Sequence, residues 1–361
     1  MTSTATPTDV PEIIDWRLAA RVGRRVAGGD DLQVRSAWQR QFSDISTVAD
    51  QAVAEFTGLG GSLPPPTAVP LDRGQWVEAN LATLRRLLNP VAEKVTKRRA
   101  WQEQNPMSAA MRTGTRALTG AQAGTLLGYI GQRVLGQYDL PVPGPDAGGE
   151  GTVWYVVPNI VQAERRHGFR PAHFRLWIAL HETAHRRQFR GVAWLPGHIQ
   201  GLLDEYLGSV EVDDEALRRL ARRAQGVARR AIAGDRIELL DFLLTPEQRG
   251  IVDRMQATMS VLEGHGEWVM GQLGARLVPG HDVMHRALRE RRDAGTPADR
   301  FFQQVLGFRQ KLDQYSAGER FVRHLYERGG MAAVNQVFDA PEAMPTRDEL
   351  RDPDRYLVRV A

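Results

Sequence analysis

PAHFRLWIALHETAHRRQFR, residues 171–190, is the stretch from which the rest of the chain is read. Inside its helical pattern, His181-Glu182-Thr183-Ala184-His185 forms an H-E-x-x-H motif. On a helix, positions four apart lie about 40° from one another, so His181 and His185 point the same way and can hold one metal ion. Zinc takes neutral imidazole nitrogens at roughly 2.0–2.1 Å and, in a catalytic site, keeps one position for water. Glu182 then sits beside the ligands as general base on that water. Trp177, Ile178 and Leu180 make the approach apolar, which carries these polar groups toward a setting where unpaired ones are costly. The plain alternative is a helix with two surface histidines.

Composition narrows the metal chemistry. The chain has no Cys, which excludes disulfides and thiolate zinc sites and leaves His and carboxylate as ligands. Its 361 residues are 42% hydrophobic, enough for one large or two smaller domains. The start, MTSTATPTDVPE, has neither a charged n-region nor an apolar h-region, and no run approaches the ~18 apolar residues of a membrane span, so a soluble cytoplasmic protein is expected. A net charge of +4 is modest for this size. Lys occurs only at 94, 97 and 311, so Arg supplies nearly all the positive charge, and nucleic acid is not the expected partner.

Outward from the motif, the pattern is mainly α with a short strand near residues 152–157 (TVWYVV). That strand has two readings: an edge for an extended peptide, or a support behind the motif helix. Residues 1–12 are expected to be disordered, 13–145 to form an N-terminal helical region packing on the catalytic part, 146–340 to form the catalytic region, and 341–361 to be a tail. Gly58 to Pro66 (GLGGSLPPP) reads as a flexible connection. Gly120, Gly124, Gly128 and Gly131 leave one helical face bare, so another backbone can approach it. Six arginines in 214–233 fall within an arc of about 140°, a solvated face or a docking stripe. A long helix is expected from Pro246 to Leu273.

Two histidines need a third protein ligand. The candidate stretch is Val261-Leu262-Glu263-Gly264-His265-Gly266-Glu267-Trp268. Glu263 and Glu267 share a helical face, whereas His265 lies about 200° from Glu263, so Glu263 and His265 cannot both reach one ion. Glu263 is the preferred ligand, with His265 and Glu267 as alternatives. Glu267 is otherwise placed to orient a ligating histidine through its free N–H.

HETAHRRQF followed by GVAWLPGH, preceded by LGQYDLPVP and VVPNI, and followed further on by MSVLEGHGEWVM, resembles the zincin-like metallopeptidase type 2 family over roughly residues 13–340. The segment IDWRLAARVGRR is similar to its branch labelled as associated with deazaflavin-coenzyme biosynthesis. The resemblance implies a largely helical zinc metallopeptidase. Its likeness to gluzincins favours Glu263 as ligand and Glu267 as orienter, although Glu stands where many gluzincins have Asp. The expected activity is peptide-bond hydrolysis on a peptide or protein, with Tyr138, His198, Tyr206 or His265 as the oxyanion donor. The rival readings are a non-catalytic, metal-stabilised or partner-binding helical module, and a zinc amidase acting on a small molecule.

Overall fold

The computed structural model describes residues 14–28, 36–99, 106–139, 151–209, 244–293 and 308–361. The N-terminal residues 1–12 and the arginine-rich 214–233 lie outside them. The described chain is predominantly helical with one small sheet. It divides into two compact units: Met1–Val34 with Leu71–Leu135 and Val156–Asn159, and Arg35–Pro70 with Gly136–Tyr155 and Ile160–Ala361.

In the first unit, α1 (Trp16–Ala27) lies against α4 (Pro106–Gly131), and α3 (Arg73–Arg99) packs on both. Asp15 caps α1, accepting from Leu18 N at 2.8 Å. The glycine face of α4 is used as its spacing predicts. A Cβ at Gly120 or Gly128 would fall 2.5 Å from the carbonyl oxygens of Asp15 and Gly23, and one at Gly124 would meet Ala19 closer still. The two helices therefore meet backbone to backbone, which any side chain on that face would prevent. Among the described residues no helix is long and apolar enough to cross a membrane.

The second unit is built on α6 (Pro171–Gly191), which carries the motif, and on α8 (Pro246–Leu277), which crosses it. Thr245 starts α8 with a capping box completed by Gln248. Buried arginines lock α6 to α2 (Ser36–Thr57) on both sides of the motif. Upstream, Arg175 donates to both oxygens of Glu164 at 2.7 and 2.8 Å and to Gln41 at 2.6 Å. Downstream, Arg186 and Arg187 both donate to Asp50, Arg187 in a bidentate pair. For this reason residues 36–70 group with the motif helix and not with the N-terminal region expected to span 13–145.

The same arginines hold the loop read as a flexible connection. Arg186 donates to Pro64 O at 2.5 Å and Arg187 to Gly61 O at 2.8 Å. Gly60, with φ +78°, lies so close to Gly191 that a Cβ on it would fall 2.9 Å from the Gly191 Cα. Composition alone reported a breaker-rich run, while these buried donors give its carbonyls fixed partners.

The strand expected at 152–157 is β3 (Thr152–Val156), and α5 (Val157–His167) follows at once, with Pro158 tolerated in its first turn. The sheet order is β1-β3-β2, with β1 (Thr67–Leu71) and β2 (Gly136–Asp139) flanking β3. Both sides of β3 are thus occupied, which removes it as an edge for a peptide. The edge beside α6 belongs to β2, antiparallel to β3 with Tyr138 opposite Val153.

Residues 341–361, expected as a tail, form short helices. The longest is α12 (Pro353–Val360), whose Tyr356 ring is buried 5.1 Å from that of Phe321 on α10 (Phe308–Asn335). Pro353 sits in the first turn of its helix, where its missing N–H costs nothing, so it starts an element instead of breaking one.

Candidate metal centre

On α6, His181 and His185 stand one turn apart with ring centroids 4.6 Å from each other and their Nε2 atoms 3.1 Å apart. Glu263, reaching across from α8, places Oε2 3.7 Å from each of those nitrogens. Among the described residues these three form the one group whose ligand atoms lie within 4.8 Å of one another. Donors at roughly 2.0–2.1 Å from a tetrahedral zinc are about 3.3 Å apart, close to the three separations seen, so the donor set fits that ion in both chemistry and spacing.

Glycines set the height at which α8 crosses. Gly264 of α8 and Gly318 of α10 face each other too closely for either to carry a Cβ, which presses α8 into the unit. Gly266 then lies under the imidazoles, where a Cβ would stand 3.2 Å from His181 Cε1 and 3.3 Å from His185 Cε1. Glu263 projects from this backbone into the cluster.

The outer nitrogen of His185 meets a residue that the motif reading missed. Gln188 Oε1 is 2.9 Å from His185 Nδ1, and its amide nitrogen contacts Leu262 O and His265 Nδ1, both at 2.9 Å. The only sequence signal was its spacing of three from His185 on the same helix. His265, one of the alternative ligands, is fully buried behind His181 and His185, with burial and then the neighbouring His185 pushing it down to about 3. It is a neutral ring turned to Gln188. Glu267, one turn beyond Glu263, is buried and lines a cavity of about 390 Å³ with Trp177, Trp268 and His281.

Glu182 is 6% exposed and held by β2. The Tyr138 backbone N–H donates to its carboxylate, and Gly136 is so near that a Cβ there would fall 2.8 Å from both Glu182 Cγ and Oε1. Burial pushes the carboxyl up to about 7; Glu263 adds to this, while His185 and the Tyr138 N–H pull against it. For His185, burial disfavours the charged ring, but Glu263, Glu182 and Gln188 outweigh it and raise it to about 9. Two imidazole nitrogens facing a carboxylate thus form a place for positive charge, taken by a proton when no cation is bound.

The four oxyanion candidates fall in different places. Tyr138 gives Glu182 its backbone N–H, while its ring stacks on Phe189 at 5.9 Å and its hydroxyl packs against Gly151. His198, on α7 (Leu195–Ser209), has Nε2 3.4 Å from Thr258 Oγ1, and Tyr206 lies on the same helix. His265 is enclosed in the core.

A family model described as zincin-like metallopeptidase matches residues 14–357. A crystal structure from Chloroflexus aurantiacus, titled as that of a candidate hydrolase with a novel fold, shares 29% sequence identity with this chain. Its TM-score is 0.67, and the match covers 96% of this chain and 98% of that one. No curated protein matches the sequence.

Proposed function

Since the chain belongs to the zincin-like metallopeptidase family, we propose that it is a zinc-dependent hydrolase of peptide bonds, with His181, His185 and Glu263 as ligands and Glu182 as general base. The observation that carries this reading is the convergence of two imidazole nitrogens and one carboxylate oxygen within 4.8 Å, next to a second, buried carboxylate. A zinc ion held there supplies Lewis acidity, polarising the substrate carbonyl and making a water more acidic. Glu182 takes a proton from the water as its oxygen bonds to the carbonyl carbon. It returns that proton to the amide nitrogen as the C–N bond breaks. Tyr138 N–H and Gly136 keep the carboxylate beside the cluster during both transfers. Glu267 is the proposed orienter of His181. In the antiparallel ladder the Tyr138 N–H points away from β3, so the backbone edge of β2 faces the general base, which favours an extended peptide as substrate.

The test is stoichiometric zinc in the purified wild type beside His185→Ala, followed by turnover of unstructured proteins and of small amides. The proposal expects about one zinc in the wild type, a loss of zinc in His185→Ala, and in Glu182→Gln zinc retained with turnover abolished. Undiminished turnover in Glu182→Gln refutes the base assignment. Zinc without cleavage of any protein would leave the amidase or the metal-stabilised module in its place.

A further inference from the structure

We propose that Gln188 is a positioning residue for this centre: its amide holds the His185 ring in the one orientation and tautomer that turn Nε2 toward the donor cluster. The consequence for zinc rests on the metallopeptidase reading, whereas the hydrogen bonds themselves belong to the protein with or without metal. Gln188 is fully buried, and each polar atom of its side chain has a partner. Its amide nitrogen donates one proton to Leu262 O and the other to His265 Nδ1, each at 2.9 Å. The direction of the amide follows from these contacts. Turned over, Oε1 would face the Leu262 carbonyl oxygen, acceptor against acceptor, and the amide protons would face His185. With Oε1 toward His185, that oxygen accepts from Nδ1–H at 2.9 Å and leaves the Nε2 lone pair for a metal.

His265 gives the same answer from the other side. It accepts on Nδ1, so its proton is on Nε2, and that nitrogen is buried with no hydrogen-bond partner, the ring standing edge-on to Phe338 at 5.2 Å. A leucine could fill this apolar site without stranding an N–H. What the imidazole provides there, and a leucine would not, is an acceptor for Gln188. The relay is also neutral. A carboxylate at 188 would add negative charge to a neighbourhood that already holds Glu182, Glu263 and Glu267, whereas an amide orients His185 without doing so.

The test uses the full chain and zinc alone. Gln188→Leu is expected to weaken zinc binding by about 10- to 100-fold in chelator competition, the range for loss of an outer hydrogen bond to a ligating histidine. The metal-free melting temperature of each variant is measured beside it. Two substitutions of the neighbour separate orientation from packing: His265→Leu fills the space without an acceptor, and His265→Asn restores an acceptor oxygen in a smaller side chain. We expect His265→Asn to be the less stable of the pair yet to bind zinc more tightly; affinity that merely tracks stability overturns the proposal. Wild-type affinity in a folded Gln188→Leu also overturns it. A readout without metal completes the set: an exchange-protected Nδ1–H resonance of His185 in nitrogen-15 NMR, present in the wild type and lost in Gln188→Leu. Its absence from the wild type sinks the relay. Its presence in a protein that takes up no zinc supports the relay and faults the zinc reading alone.

Discussion

Gly136→Ala tests the coupling between β2 and Glu182, the proposed general base. Placed on the present backbone, the new methyl stands 2.8 Å from Glu182 Cγ and Oε1 and 2.9 Å from Cδ, where ordinary contact begins at 3.4 Å. The shortfall is about 0.6 Å on three atoms of one side chain. β2 has little freedom to retreat, because it is paired along its length with β3. Glu182 therefore moves, and its hydrogen bond from Tyr138 N–H lengthens or breaks. Misplacing a catalytic group by ~1 Å lowers rates by about 100-fold, so a shift of this size should reduce kcat by roughly 10- to 100-fold, or about 1.4–2.7 kcal/mol in the barrier. The three atoms nearest the methyl all belong to Glu182 and none to the proposed zinc ligands, so zinc content should stay at the wild-type value. Steady-state kinetics on an unstructured protein, zinc analysis and thermal unfolding of the same preparation make the assay. Wild-type kcat would refute the claim that β2 positions Glu182, and so would a variant that loses zinc in proportion to activity.

Further outcomes follow from the same geometry. With His185 raised to about 9 in the metal-free protein, zinc must displace a proton, so its apparent affinity should tighten by about tenfold per pH unit from 7 toward 9; a flat profile in chelator competition would contradict this. As the proposed base, Glu182 would work only when ionised, and burial pushes it up to about 7 without a cation; bound zinc would favour the carboxylate, so the acid limb of kcat/KM should fall below that value, and a limb at higher pH would contradict the assignment. Asp50→Ala removes the carboxylate shared by Arg186 and Arg187, which are 2% and 4% exposed, leaving their charges to carbonyl acceptors such as Pro64 O and Gly61 O, and should lower unfolding free energy in denaturant by about 3–5 kcal/mol; a change below ~1 kcal/mol would mean that the pair is solvated.

Helical periodicity is a local property, and what depends on it could be read from the letters alone. His181, Glu182 and His185 share one turn of chain. The separation of Glu263 from His265 around α8 follows from 100° per residue, and the bare face of Gly120, Gly124 and Gly128 is visible as spacing. What pairs with each face is not local. Glu263 reaches the cluster, with Glu267 one turn beyond it, because Gly264, Gly266 and Gly318 set where α8 crosses α6, and that crossing joins segments far apart in sequence. The role of Gln188 needed the Leu262 carbonyl, a backbone atom to which no side-chain pattern points. The upward shift of the Glu182 carboxyl needed β2 to bury it, and GLGGSLPPP changed from an apparent linker to a fixed loop because Arg186 and Arg187 hold its carbonyls. Sequence by itself determined which groups can act and on which helical faces they lie. Only the tertiary structure decided which of them meet, since burial, hydrogen-bond partners and charge environment arise between segments and not along one.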